Sequence, residues 1–464
     1  MSQEPLILQA EIERRGIQGI KLSLDRMKAA MQALDHPERR IGRTIIIAGT
    51  NGKGSVAAFL DATLRAAGHT VALYTSPHLV SYTERLVLCG ERVGASRLDD
   101  AVRRVLEVEA ALPGLLTGFE LITAASFLCM ADEQPAFSVV EVGLGGRLDA
   151  TNVVEPEVSI ITPLGMDHMR FLGPDLASIT REKLGVTRPG GTNVVARQKP
   201  EAERIIRDHC GSVGGRLLME GTDFCASGIP ERWSFEGLGC RIEGLSLSLT
   251  GHYQVQNAGI AAAAAATLLP VDACRAALRT GLGSASWPGR FDLRLAWGTP
   301  VLLDGGHNLP AIEALAGAWT HRYPHRPAVL YAAKEDKDVA AILPVLERIA
   351  SRLLLTSPGR INGHDPADLA RLVTQVPVEV HPDPAAAFRR LAAIRGGPHL
   401  CCGSLFLVGY CLDMLASTGD HGAEGRGLQA AGRQTSDGSG RSGEAVSGSL
   451  PSGSPKTGER EDPV

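Results

Sequence analysis

Residues Thr44–Gly68, TIIIAGTNGKGSVAAFLDATLRAAG, limit what this chain can fold into more than any other stretch. Three β-branched residues, Ile45 to Ile47, lead into a turn holding Gly49, Gly52 and Gly54, and an amphipathic segment with Ala58, Leu60 and Leu64 follows up to Gly68. The pattern predicts strand, loop and helix. Such a loop turns backbone N–H groups and a helix N-terminus toward an anion, and Lys53 adds a point charge that can reach terminal phosphates. It reads as a nucleoside-triphosphate loop. Its spelling departs from G-x-x-x-x-G-K-[ST], because Gly54 stands between Lys53 and Ser55. Taken alone, a glycine-rich turn that binds nothing is the competing reading.

At 464 residues the chain has room for two domains with substantial cores, since single domains hold about 100 to 200 residues. Hydrophobic residues at 44% and charged residues at 21% suit a globular protein. A formal net charge of −4, with no run of Lys and Arg, argues against a nucleic-acid binder, so an anionic small molecule has to be met locally. The first residues, MSQEPLILQAEIERRG, have no apolar signal core, and the longest apolar run, Ala258–Pro270, is too short to span a bilayer. A cytoplasmic monomer without a membrane partner is expected. Nine cysteines with no C-x-x-C pair read as buried, reduced thiols.

Residues 1 to 40 read as helical, with Leu22, Leu24, Met27, Met31 and Leu34 as an apolar stripe and Arg26 and Lys28 facing elsewhere. Beyond the loop, Thr70–Tyr74 reads as a strand that ends in TSPHL, Thr75–Leu79. This puts Ser76 and His78 at a strand end, where open α/β sheets bind ligands. Helices are expected at Arg97–Leu112, Gly118–Met130 and Asp175–Val186, and strands at Phe137–Val142, Val158–Thr162 and Val194–Ala196. The alternation predicts an α/β fold whose mostly parallel sheet is covered on both faces. Short strands over Arg232–Leu249 and an alanine-rich helix, Gln254–Leu269, complete a first domain, 1–287. Trp287, Pro288 and Gly289 in a row suit a boundary.

Alternation then restarts. Strands are expected at Pro300–Leu303, Ala328–Ala332, Arg352–Thr356 and Cys401–Leu407; one helix runs to about Tyr323 and others cover Val339–Ala350, Pro366–Val373 and Pro384–Ile394. This predicts a smaller, Rossmann-like α/β domain, 288–416. In 417–464, 19 of 48 residues are Gly or Ser, and the few aliphatics cannot offset the entropy of ordering, which predicts a disordered tail.

Four polar residues fall at the sheet edge that carries the loop. Glu141 ends an apolar strand, where phosphate-loop enzymes place an acidic ligand to metal or water; an acidic strand end is also commonly just solvated. Ser55 and Ser76 offer hydroxyls to Mg²⁺, a hard cation that prefers oxygen, although isolated serines more often cap helices. His168 follows Asp167 directly after a strand. Its nitrogen is not what Mg²⁺ prefers, so its position and not its chemistry marks it.

Nine segments in order carry a resemblance: AGTNGKGS (48–55), TSPHL (75–79), EVGLGGRLDATN (141–152), GMDH (165–168), EKLGV (182–186), GHYQVQNA (251–258), PGRFD (288–292), DGGHN (304–308) and GSLFLVG (403–409). Together they resemble the folylpolyglutamate synthase and dihydrofolate synthase family, relatives of the Mur ligases, over about residues 20 to 412. The resemblance implies an ATP-dependent amide ligase. The γ-phosphate of ATP passes to a carboxylate of dihydropteroate or a reduced folate, and the amine of L-glutamate attacks the acyl phosphate. A carboxylate is a poor electrophile until its oxygen leaves as phosphate, and bringing two anions together calls for Mg²⁺ and Lys53.

By motif position the resemblance implies that Gly49, Thr50, Asn51, Gly52, Lys53, Gly54 and Ser55 hold the phosphates. It further implies Ser76, Glu141 and His168 as magnesium ligands and Lys183 as a carbamylated lysine. On its own, Lys183 reads as a helix-end lysine facing carbonyls. Asn257, Arg290 and Asp304 match nucleotide-binding positions, Thr117, Gly118, Phe119 and Glu120 match the pterin contact, and His307 lies near the reaction. Three places depart from the family: Ile46 stands where histidine is common, Leu184 replaces alanine, and DGGHNL replaces DGAHNP.

Other readings are a folylpolyglutamate synthase without the second activity, a Mur-type cell-wall ligase, and a nucleotide-binding module that has lost ligation. Only 48 residues precede Gly49, which leaves little room for a uridine-nucleotide domain. Retention of Lys53, Glu141, His168 and Lys183 speaks against the third.

Overall fold

The computed structural model describes residues 5–16, 23–359 and 361–417. The expected disordered tail, apart from Ser417, and Leu22 of the N-terminal stripe lie outside the described residues.

The strands of the first lobe are β1 (Arg43–Ala48), β2 (Val71–Tyr74), β3 (Leu86–Leu88), β4 (Glu91–Arg92), β5 (Phe137–Glu141), β6 (Val158–Ile161), β7 (Thr192–Val195) and β8 (Arg216–Met219). They form one sheet in the order β4-β3-β2-β5-β1-β6-β7-β8, parallel except for the antiparallel pairs β2 with β3 and β3 with β4. The period of two in β1 decides its place at the centre. Ile46 and Ala48 enter the core on one face, Ile45 and Ile47 the core on the other, and all four are fully buried. Ile46 therefore packs in the core where the family often has histidine.

An antiparallel sheet of β9 (Phe224–Ile229), β10 (Arg232–Gly237) and β11 (Cys240–Leu245) follows, beginning earlier than the short-strand pattern predicts. The helix Gln254–Leu268 packs close against it: a Cβ on Gly259 would stand 2.5 Å from that of Ala226. Alanines at 258 and 261–265 are buried because only small side chains allow this approach. Among the helices that escape the sequence pattern are Pro200–Ser212 and Val271–Ser284. The first shows a narrow stripe of Ala202, Ile206 and Cys210, and the second meets the helix Lys53–Ala66 so closely that a Cβ on Gly281 would lie 2.6 Å from the Thr63 Cα.

The second lobe contains β12 (Asp292–Ala296), β13 (Thr299–Leu303), β14 (Ala328–Tyr331), β15 (Arg352–Leu355), β16 (Val378–Val380) and β17 (His399–Cys402), in the order β12-β13-β17-β14-β15-β16. All pairs are parallel except β12 with β13. Helices cover both faces, as the alternation predicts.

Three expectations need correction. The segment Cys401–Leu407 is not one strand: β17 stops at Cys402, Gly403 takes φ +97°, and the helix Leu405–Ser417 begins. Residues 1–40 do not form one helical run either, since helices occupy Leu6–Arg15 and Asp25–Ala33, with a 3₁₀ turn at Pro37–Arg39. Finally, Cys89 and Cys225 are exposed while the other seven cysteines are buried, and all nine are free. No helix among the described residues is long and apolar enough to cross a membrane.

Candidate active site

The phosphate loop joins the C-terminal end of β1 to the helix Lys53–Ala66. Gly49 takes φ +149° and Gly52 φ +87°, conformations costly for a side chain. Gly54 has another reason to be glycine: a Cβ there would stand 2.6 Å from the Trp287 ring, which lies against the loop. The helix ladder starts with Val56 N–H on the Gly52 carbonyl, so the amides of Lys53, Gly54 and Ser55 have no acceptor in that ladder and mark an anion site. The amides of Thr50 and Asn51 bond to the Pro163 carbonyl at 3.1 and 3.3 Å. Lys53 Nζ donates to the carbonyls of Gly49 and Thr50 at 3.3 and 3.4 Å.

Next to the loop, Glu141 ends β5 opposite Ile47 of β1. Burial pushes its carboxyl up from the ordinary value, and the Lys53 charge opposes this. It accepts a 3.3 Å hydrogen bond from the Ser76 amide, while the buried Ser76 Oγ has no hydrogen-bond partner. His168 adopts the left-handed conformation, φ 51°, at the start of the short helix Met169–Leu172. Burial lowers its pKa to about 4, so the ring is neutral near pH 7. Among the described residues no three of His, Cys, Asp and Glu form a ready metal cluster. An orphaned hydroxyl beside a buried carboxylate is nonetheless an oxygen donor pair suited to a hard divalent cation, and a neutral imidazole can add a nitrogen.

Lys183 lies in the last turn of the helix Leu176–Leu184 and is buried. Its Nζ donates 2.7 Å to the Gly49 carbonyl, so it faces a carbonyl of the phosphate loop and not its own helix end. Burial, followed by the Lys53 charge, lowers its pKa to about 7. Much of EVGLGGRLDATN serves to place this lysine. Arg147 pairs with Glu182 at 2.7 Å, Asn152 Nδ2 donates to the carbonyls of Arg147 and Gly185, and a Cβ on Gly146 would stand 3.0 Å from the Lys183 Cα. Leu184 is buried in the core, where its size is used.

The second lobe supplies the facing wall. Asp304, after β13, accepts from Tyr253 Oη at 3.0 Å, Phe291 N at 2.8 Å and Gly306 N at 2.7 Å. Asn257 Nδ2 donates to Gln254 Oε1 at 2.8 Å, and Gln254 Nε2 donates to Ser55 Oγ at 3.2 Å, so Asn257 reaches the loop through one side chain. Arg290 Nη1 donates to the Gly289 carbonyl at 3.3 Å, and Gly305 leaves room for it. His307 Nδ1 lies 2.8 Å from the Gly305 carbonyl, which can only accept, so Nδ1 carries the proton and Nε2 the lone pair. Burial lowers this pKa too, to about 4.

Also lining the cavity, Thr117 and Glu120 form a capping box on the helix Gly118–Glu133. Glu120 is also held by Arg26 through bonds of 2.8 and 3.0 Å, so its carboxylate is already occupied by the fold. Phe119, whose ring covers Gly143, presents an apolar face instead. One cavity of about 830 Å³ is lined by residues from the phosphate loop, this segment and the second lobe. It collects the phosphate-loop, metal, nucleotide and pterin candidates named from the sequence, together with Lys183 and His307, but not His78, whose Nδ1 accepts from Arg85 at 3.0 Å. The residues that sequence reasoning missed are Tyr253, Asp167, Asn308 and Lys337. The first three stand inside quoted motifs without a role, and Lys337 is in none of them.

The first lobe matches the Mur ligase middle domain over residues 47–265, and the second the Mur ligase glutamate ligase domain over 289–405. Fold and site thus define an ATP-dependent ligase of the Mur type. A dihydrofolate synthase/folylpolyglutamate synthase of Bacillus subtilis is 37% identical over 354 residues, covering 73% of this chain and 82% of the relative. Mycobacterium tuberculosis folylpolyglutamate synthase complexed with ADP superposes with TM-score 0.81 at 29% identity, covering 88% of this chain and 98% of that one. A bifunctional folylpolyglutamate synthase/dihydrofolate synthase with Mn, AMPPNP and L-glutamate bound gives 0.80 at 28% identity, covering 90% and 100%. The chain belongs to the folylpolyglutamate synthase and dihydrofolate synthase family.

Proposed function

We propose that this enzyme joins L-glutamate both to dihydropteroate and to the glutamate tail of reduced folates, using ATP. The observation that carries the reading is the single cavity that brings the phosphate loop, the Glu141 strand end and the Asp304–His307 turn together beside an apolar segment at Phe119. In this reading the lobes meet at residues 287/288, consistent with family matches that end at 265 and resume at 289. The enzyme is a cytoplasmic monomer that acts on small molecules and binds neither nucleic acid nor membrane.

Residues 49–55 hold the phosphates, Lys53 neutralising charge while the helix N-terminus donates amides. Asn257, Arg290 and Asp304 orient the nucleotide between the lobes, and Thr117–Glu120 wall the pterin end, with Phe119 as the stacking face. Ser76, Glu141 and His168 would hold Mg²⁺, which when bound screens the phosphate charge and polarises its oxygens. The γ-phosphoryl group moves to the acceptor carboxylate, leaving ADP. The glutamate amine then adds to the acyl carbon, and the tetrahedral intermediate expels phosphate as the amide forms. His307 lines the same cavity, its Nε2 3.7 Å from Asp167 Oδ2, and the Nε2 lone pair can accept a hydrogen bond from the amine.

Lys183, a buried amine whose pKa of about 7 leaves a large neutral fraction at pH 7, is suited to take up CO₂: the neutral nitrogen bonds to carbon, a proton is released, and a carbamate forms. The test of function is ADP release by purified protein with ATP, Mg²⁺, glutamate and either dihydropteroate or tetrahydrofolate. Turnover with both acceptors is expected, and release with tetrahydrofolate alone would restrict the enzyme to folylpolyglutamate synthesis. No release with either would overturn the assignment.

A further inference from the structure

Asn308 has been given no part in the chemistry above, yet its side chain is the most fully committed amide at the junction of the lobes. Its Oδ1 accepts from Ala311 N at 3.0 Å, capping the helix Leu309–Arg322, and from Asn51 Nδ2 at 3.1 Å. Its Nδ2 donates to Asn51 Oδ1 and to Asp167 Oδ2, both at 3.0 Å. A primary amide offers two donor hydrogens and two acceptor lone pairs, and all four are used here. One serves the helix of the second lobe, and three reach the first lobe at the phosphate loop and at the residue preceding His168. Asp167 is held from the second lobe again by buried Lys337, at 2.6 Å.

We propose that Asn308 is a positioning residue that couples the phosphate loop to the second lobe. Asn51 and Asp167 come from loops after two neighbouring strands, β1 and β6, and one planar amide bonded to both sets their spacing against the turn that carries Asp304 and His307. Asn308 and Lys337 are buried and the bonds they make are at least partly shielded from water, so shifting the loop without shifting the second lobe would leave Asn308 and Lys337 with polar groups unpaired in the interior. Movement of the loop on nucleotide binding is therefore passed to the lobe that bears His307.

The kinetic arm of the test rests on the ligase reading above; the scattering arm does not. Asn308→Ser keeps an oxygen at the helix cap but cannot span both partners. Asn308→Ser and Asn51→Ala should each lower kcat/KM by about tenfold or more, and the double variant should lose little beyond the worse single one, as coupled residues do. Asn308→Ser should melt with the wild type, because the cap is kept, and should show a larger radius of gyration in small-angle scattering. Wild-type kcat/KM in Asn308→Ser, or fully multiplicative losses in the double variant, would overturn the coupling. If the wild-type chain releases no ADP, the ligase reading fails instead. Scattering then decides alone, and an unchanged radius of gyration overturns the proposal.

Discussion

Lys183 Nζ donates to the Gly49 carbonyl oxygen at 2.7 Å, which joins the end of the helix Leu176–Leu184 to the first residue of the phosphate loop. The contact places a buried amine where the nucleotide's phosphates and a divalent cation would meet. Lys183→Ala should lower kcat by about a hundredfold, as removal of a group that supports a metal site does. Added formate or acetate should restore part of it. Full activity in the alanine variant would count against a role for this lysine.

The same group makes stability depend on pH. Its folded pKa of about 7 lies below the ordinary 10.5 because burial penalises the ammonium. Between these values the unfolded chain binds a proton that the folded chain does not, so stability rises with pH from about 7 to 10.5 and levels off below 7. In CO₂-free buffer, Lys183→Met should flatten this slope in denaturant titrations. An unchanged slope would show that the amine is not desolvated. CO₂ or bicarbonate should activate the wild type more strongly above pH 7 than below it, since only the neutral amine reacts.

Lys53 Nζ donates to loop carbonyls at 3.3 and 3.4 Å, and its side chain lines the cavity instead of the core. Lys53→Ala should cut turnover by at least about a hundredfold, as loss of a group that stabilises developing charge does. The melting temperature should stay within about 2 °C of wild type. Both are read from one preparation by ADP release and calorimetry, and near-normal turnover would exclude the phosphate-loop assignment.

Gly54→Ala would place a methyl group 2.6 Å from the Trp287 ring. Overpacking of this kind costs about 1–3 kcal/mol. ADP affinity, measured by titration calorimetry, should fall by about tenfold, because Trp287 can yield only by leaving the loop. Adding Trp287→Ala should recover part of that loss; no recovery would mean that the glycine serves something other than the tryptophan.

Burial also lowers His307, to about 4. The unfolded chain gains its imidazole proton first, near the ordinary 6.5, so folded stability should fall as pH drops from 6.5 to about 4 and show no further histidine effect below that. His307→Gln should reduce the slope of melting temperature against pH in this window.

Period and punctuation made most of the architecture legible. The alternation of Ile45–Ala48, the glycines of the loop, and the restart of strand and helix after Trp287-Pro288-Gly289 are local signals, because a strand's two faces and a turn's φ angles act on neighbouring residues. Chain motifs also marked most of the residues that line the cavity, although Tyr253 and Asp167 stood in them without a role and Lys337 in none of them. The order of the strands and the buried helix Val271–Ser284, which fits only because Gly281 meets Thr63, depend on faces brought together from distant positions.

Sequence alone determined that the chain carries a phosphate loop of unusual spelling, two α/β lobes and the motifs of a glutamate ligase. Only the tertiary structure decided why the spelling is unusual, since Gly54 is needed for the ring of Trp287 and not for a backbone angle. It also decided that Lys183 faces Gly49, and that Asn308 joins Asn51 to Asp167. Burial and hydrogen bonding between residues more than a hundred positions apart set these relationships, and no local pattern encodes the desolvation that shifts a lysine to about 7.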